Sequence, residues 1–325
     1  MIKNRKKVLL LCPHFMGYDE LVKNFLCENG YSVIYEDTDK VLKKAREKYK
    51  QFPIFFRFIL KLFPQIRKVI REKLLQKYSF NFFKDLEKIE SLDFILAING
   101  DGVSEKIYKK LFSNNPQAQK VLYIWDDFDW LFKQSHIKKF DFVASYNIED
   151  ATKYNFLYLP VFTADIKKSI ANKKYDIAII ATASQDRIAL AKKIYYKYKN
   201  DYKFYIYFYD KEQRYNFFSH PLPMPYAKYQ DILAMSVSVL DIVRFGQRGP
   251  TTRIYDSILT ETKVITMNKN IKKYPVYNSN ILVLDDELNI PHNFIKTEYI
   301  NYEIIPVSIR RWCQKLTIFI EEKTE

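Results

Sequence analysis

The sequence predicts an α/β protein of two doubly wound domains, each a mostly parallel sheet with helices on both faces. Three observations carry this. Apolar runs of strand length alternate with helix-period segments through residues 1–162. The alternation then stops over a polar stretch, 163–174, and resumes at residue 175. Residues 239–270, VLDIVRFGQRGPTTRIYDSILTETKVITMNKN, hold one complete strand, loop, helix and second strand. At 325 residues, 48% hydrophobic and 17% aromatic, the chain can fill two cores.

In the first domain, residues 7–11 read as a strand and 19–29 as a helix, with Gly30 placed to cap it. Residues 31–35 are the second strand. A basic helical insertion covers roughly residues 40–90, broken at Pro53 and Pro64. Strands 94–98 and 121–125 end in Asn99-Gly100-Asp101-Gly102 and Asp126-Asp127. Residues 142–145 and 158–161 are short strands. After the 163–174 linker, the second domain spans 175–307: strand 175–181, helix 186–198, strand 203–209, helix 226–235, the 239–270 unit and strand 281–284. Residues 308–325 form a last helix.

The 239–270 unit places donor groups where a first strand ends, the edge at which open α/β sheets bind ligands. Only 12 of the 53 basic residues are Arg, yet Arg244, Arg248 and Arg253 fall within ten positions. Planar, bidentate guanidinium groups at a loop–helix junction suit phosphate or carboxylate. The helix N-terminus adds free N–H groups and partial positive charge.

This segment resembles the donor-binding motif of GT-B-fold glycosyltransferases of the CgeB-like, lipopolysaccharide-core and capsule-assembly type. Matches fall at Val239, Leu240, Asp241, Ile242, Gln247, Gly249, Thr251, Arg253, Lys263, Ile265 and Thr266. Asp256 stands where that family has the Glu that reaches the ribose, Phe245 replaces a Pro, and Glu261 replaces a Gly. The opening loop matches at Gly17, Tyr18, Gly30, Tyr31 and Val33. Trp125-Asp126-Asp127 resembles a strand end of the family, and residues 181–187 resemble its strand-to-helix turn, best at Asp186 and Arg187.

The resemblance implies two Rossmann-like domains, a C-terminal helix, residues 308–325, that packs back on the first domain, and transfer of a sugar from a nucleotide-sugar to lipopolysaccharide, capsule or another lipid-linked acceptor. Ser184, Arg187, Arg244, Gln247, Arg248, Gly249, Thr251, Arg253 and Asp256 would then hold the donor. Gly17 and Tyr18 would form the acceptor or phosphate loop. Asp126, Asp101 and His14 are the candidate bases, because an inverting transfer needs one group to take the acceptor proton. Asp126-x-x-Asp129 is a poor metal pair, so neither metal nor cofactor is expected; basic side chains and a helix dipole would stabilise the leaving phosphate. The alternatives are an epimerase of nucleotide-sugars on the same fold, or a non-catalytic protein that binds a membrane surface or a partner.

Composition narrows the setting. Cys12, Cys27 and Cys313 show no metal or disulfide spacing. The apolar run at 8–12 is too short for a signal core, and no uncharged apolar stretch reaches membrane-spanning length. The expected location is the cytoplasm, at the inner face of the membrane. Net charge is +15, and residues 43–77 alone carry twelve basic and two acidic residues, a net +10. Basic residues beside Phe52, Phe55, Phe56, Phe58 and Phe63 have the composition of a helix lying on anionic lipid. Arg57, Lys61, Arg67, Lys68 and Arg71 are the expected contacts. No nucleic-acid motif is present.

Overall fold

The computed structural model describes residues 5–130, 137–164, 169–244, 246–302 and 308–324. Phe245 and residues 165–168 of the expected linker lie outside them. The chain divides into two compact units, Met1–Tyr158 and Leu159–Glu325.

The first unit contains strands β1 (Lys7–Cys12), β2 (Ser32–Asp37), β3 (Phe94–Ile98), β4 (Gln119–Ile124), β5 (Phe142–Ser145) and β6 (Leu157–Tyr158). They form one parallel sheet in the order β2-β1-β3-β4-β5-β6. Residues 8–12 and 95–98 are buried on both faces. Their unbroken apolar runs are what a sheet covered on two sides requires. The helices are α1 (Tyr18–Glu28), α2 (Asp39–Lys50), α3 (Ile54–Leu62), α4 (Pro64–Phe83), α5 (Glu105–Asn114) and α6 (Ile148–Tyr154). Ile107, Tyr108 and Leu111 of α5 pack on Leu9, Ile95, Ala97 and Leu122 of the sheet. The basic insertion is therefore helical as expected, with α3 starting after Pro53 and α4 beginning at Pro64, where a proline suits the first turn.

The second unit repeats the plan. Strands β7 (Tyr175–Thr182), β8 (Phe204–Tyr209), β9 (Ser219–His220), β10 (Ser236–Asp241), β11 (Lys263–Thr266) and β12 (Ile281–Val283) pair in the parallel order β12-β11-β10-β7-β8-β9. Its helices are α7 (Gln185–Tyr198), α8 (Tyr226–Ala234), α9 (Thr252–Leu259), α10 (His292–Lys296) and α11 (Ile309–Thr324). Ile188, Ala191 and Ile194, one helical face of α7, close over Ile177, Ile179, Ile206 and Phe208. Both units are thus Rossmann-like, the pair of domains that the resemblance implies.

Three local outcomes differ in detail from the sequence reading. The strand expected at 158–161 is only the two-residue β6, because Leu159, Val161 and Phe162 turn inward as core. Thr163 and Ala164, read as linker, are also buried. Helix α11 packs on this segment: Trp312 lies 5.0 Å from Phe162 between ring centroids, and the Ile309 amide donates to the Thr163 carbonyl at 2.9 Å. Glu261 adopts φ +49°, a left-handed conformation that glycine enters more readily than other residues. No helix among the described residues is long and apolar enough to cross a membrane.

Gly102 is the glycine the first sheet depends on. It has φ +90°, and a β-carbon there would lie 2.5 Å from the Thr38 carbonyl oxygen. Its bareness lets the turn after β3 approach the turn after β2. Gly102→Ala is expected to lower unfolding free energy by about 1–3 kcal/mol, read from the urea midpoint. A midpoint equal to wild type would show that this approach relaxes without cost.

Candidate functional site

In the second sheet, chain order reverses between β7 and β10, so the loops after these strands flank the ligand-binding crevice of such sheets. The topology brings Ser184 and Arg187 to the same edge as Arg244, Gln247, Arg248, Gly249, Thr251 and Arg253.

Asp241, the last residue of β10, organises this edge from a fully buried position. Its Oδ1 accepts from Thr251 Oγ1 at 2.7 Å and Arg253 Nη1 at 2.5 Å; its Oδ2 accepts from Thr266 Oγ1 at 3.1 Å. Arg253 Nη2 donates to the Ile180 carbonyl at 2.8 Å, so one guanidinium ties β10 to β7. Arg253 is accordingly part of the framework, with a side chain only 14% exposed.

The same network leaves helix ends open. Thr251 is the N-cap residue of α9, but no side-chain cap bond is made, since its hydroxyl serves Asp241. Ser184 at the start of α7 makes none either. In the first unit, by contrast, Ser104 caps α5 and Asn147 caps α6. Two N-termini at the switch point therefore offer backbone N–H groups without a side-chain acceptor of their own. Burial, and then the guanidinium groups of Arg253 and Arg244, push the Arg187 pKa down to about 10, with Asp241 acting the other way. That edge is short of negative charge. The loop that carries it is pinned, because Asn268 Nδ2 donates to the carbonyls of Arg248 at 3.2 Å and Gly249 at 3.1 Å.

Asp256 links two helices of the second unit. It is fully buried in α9, and Tyr226 Oη donates to its Oδ1 at 2.7 Å. Burial and the nearby Asp256 carboxylate raise the Tyr226 hydroxyl far above its ordinary value. Gln230 Nε2 in turn donates to Tyr226 Oη at 3.1 Å. The short Asp side chain thus joins α9 to α8.

The first sheet reverses between β1 and β3. His14, in the loop after β1, is held at two points. Its amide donates to Asp37 Oδ1 at 2.9 Å, and its Nδ1 lies 3.0 Å from Asp19 Oδ2. Asp19 is buried and also accepts from Tyr35 Oη at 2.8 Å and the Phe15 amide at 3.3 Å. An ionised carboxylate only accepts, so Nδ1 carries the proton and Nε2 is the basic nitrogen. The His14 side chain is 55% exposed, and its bond to Asp19 raises its pKa above the ordinary value. An imidazole oriented by a buried carboxylate is the arrangement of a general base.

Asp126 and Asp101 lie at the ends of β4 and β3 on this same edge. Asn99 Nδ2 donates to Asp126 Oδ2 at 2.8 Å, while Asn99 Oδ1 accepts from the Trp125 amide at 2.9 Å. Ser104, not Asp101, caps the following helix. Gly17 has φ +87° and precedes α1. Tyr18 is buried and stacks on Phe15 at 6.1 Å, so its ring shapes the loop from within. Sequence reasoning missed Asp19, Tyr35 and Asp37. Asp19 reads as an ordinary acid in a helix's first turn, and only the pairing of β1 with β2 brings Tyr35 and Asp37 beside it.

Among the described residues, no group of three or more His, Cys, Asp or Glu side chains is placed to hold a metal ion. No protein-family model matches the chain, and no curated protein matches it. Solved structures do. The pneumococcal O-GlcNAc transferase GtfA in complex with UDP and GlcNAc superposes with TM-score 0.46 at 12% identity over 75% of this chain and 54% of that one. TarM superposes with TM-score 0.44 at 15% identity over 77% and 52%. The DNA-modifying enzyme β-glucosyltransferase superposes with TM-score 0.42 at 10% identity over 85% and 84%. The chain spans about half the length of the first two.

Proposed function

We propose that this chain is a glycosyltransferase that moves a sugar from a nucleotide-sugar to a cell-surface glycan, of the CgeB-like lipopolysaccharide-core or capsule-assembly kind, with a lipid-linked saccharide as acceptor. One observation carries the reading: the second sheet's switch point gathers Arg187, Arg244 and Arg253 with two N-termini that lack side-chain caps. Three guanidinium groups outnumber the carboxylates of Asp241 and of Asp186 in the first turn of α7, which leaves a formal excess of positive charge. A nucleotide diphosphate supplies the opposite charge and accepts hydrogen bonds from backbone amides. The same groups would stabilise the diphosphate as it leaves, when negative charge develops on it. In this reading Gln247, Arg248 and Gly249 shape the donor loop, and Arg253 positions the site through Asp241. The first unit supplies the base, with His14 ahead of Asp126 and Asp101 because of its oriented imidazole. No metal or cofactor takes part.

The test is a thermal-shift screen against UDP-, GDP-, CMP- and TDP-sugars. Wild type is expected to be stabilised by one nucleotide class. Arg244→Gln, which changes an exposed side chain, is expected to weaken that binding about tenfold or more without altering the ligand-free melting temperature. No shift with any nucleotide would leave the non-catalytic alternative standing. A shift without sugar transfer, accompanied by interconversion of the donor, would favour the epimerase.

A further inference from the structure

The basic insertion of the first unit has a shape as well as a charge. A cleft of about 240 Å³ opens between α2 and α4, lined by Arg46, Tyr49, Lys50, Arg67 and Arg71. Arg67 lies over the Tyr49 ring at 6.0 Å, and its Nε has neither solvent nor a hydrogen-bond partner among the described residues. Burial and the guanidinium groups of Arg67 and Arg46 lower the Arg71 pKa. Glu47 and Glu72 are the segment's two acids, and Glu47 pairs with Lys44 at 3.4 Å.

Next to this cleft in the chain, α3 turns its apolar residues outward. Ile54, Phe55, Phe58 and Leu62 recur at i, i+1, i+4 and i+8, and all are exposed, Phe55 by 74% and Phe58 by 57%. Leu60 is the only buried residue of that helix. Ile66 and Val69 at the start of α4 are exposed as well.

Each class of occupant meets this face differently. Nucleic acid would match the charge but leave the α3 apolar residues in water. A second copy would cover those residues but set like charge against like. An anionic bilayer takes both: phosphates against the arginines and side chains into the interfacial layer. We propose that this face docks on an anionic lipid surface, with one lipid phosphate seated in the Arg46–Arg67–Arg71 cleft and the α3 side chains inserted beside it. Lys61 on α3 and Lys68 on α4 are exposed and add charge, and Arg57 lies on α3. Docking would hold whether or not the chain transfers a sugar.

The experiment is vesicle co-sedimentation of the full chain. Wild type is expected to bind vesicles of phosphatidylglycerol and phosphatidylcholine, to release them at high salt, and not to bind phosphatidylcholine alone. Arg46→Gln with Arg67→Gln and Arg71→Gln should weaken binding about a hundredfold. Lys192→Gln with Lys193→Gln on α7 and Lys199→Gln at its C-terminal end removes the same charge and should change binding by less than about threefold. Phe55→Ser with Phe58→Ser alters only exposed side chains and should also abolish sedimentation, which keeps the test sound if the arginine variant misfolds. Circular dichroism checks each fold. No binding by wild type, equal binding to both vesicle types, or equal losses from the arginine and lysine triple variants would overturn the proposal.

Discussion

Asp241→Ala is expected to lower the unfolding free energy of the second unit by about 3–5 kcal/mol. Asp241 is fully buried and serves Arg253, Thr251 and Thr266 at once. Removing it leaves the Arg253 guanidinium, which is little exposed, without its carboxylate. An uncompensated buried charge costs far more than a lost surface pair. The excess of positive charge around Arg187 would also rise, since Asp241 is the group that opposes the lowering of its pKa. Asp241→Asn preserves volume and an acceptor oxygen, so it should cost less than alanine yet still destabilise. Urea unfolding followed by circular dichroism reads both. If the alanine variant unfolds at the wild-type midpoint, Asp241 does not hold the switch point together.

His14→Asn is expected to reduce turnover of the donor identified by the nucleotide screen about 10²–10⁴-fold, with donor affinity unchanged. The pH profile distinguishes a base from a structural residue. A base works as the neutral imidazole, so the rate should rise with pH through the His14 pKa. The bond to Asp19 raises that pKa, so the acid limb should lie above the ordinary histidine value of about 6.5. Asp19→Asn removes the raising group and should move the limb toward lower pH. The effect on stability has the opposite dependence. The His14–Asp19 pair stabilises the fold below the ordinary value, and this is lost as pH rises through the raised one. With His14 more than half exposed, that contribution is small. Unchanged activity and profile in His14→Asn would pass the role of base to Asp126.

The strands were legible in the sequence because a parallel sheet covered on both faces needs unbroken apolar runs, and KVLLLC, FILAI and YDIAII are such runs. The arginine loop was legible because Arg is scarce elsewhere in this Lys-rich chain. Arg253 shows where such reading stops. Its position in the motif points to a ligand, and the fold adds bonds from its two terminal guanidinium nitrogens to Asp241 and the Ile180 carbonyl. Nothing in the local sequence says that β10 lies beside β7. Asp256 repeats the lesson, since its partner Tyr226 sits thirty residues earlier on another helix.

Periodicity, proline positions and charge are properties of neighbouring residues, and by themselves they determined two α/β units, a basic helical insertion and a phosphate-suited loop. Which acid orients His14, which helix ends stay uncapped, and whether an arginine braces the sheet or faces a ligand were decided by tertiary structure. Those outcomes depend on distances between strands far apart in the chain, and a hydrogen bond exists only where the fold brings donor and acceptor within about 3 Å.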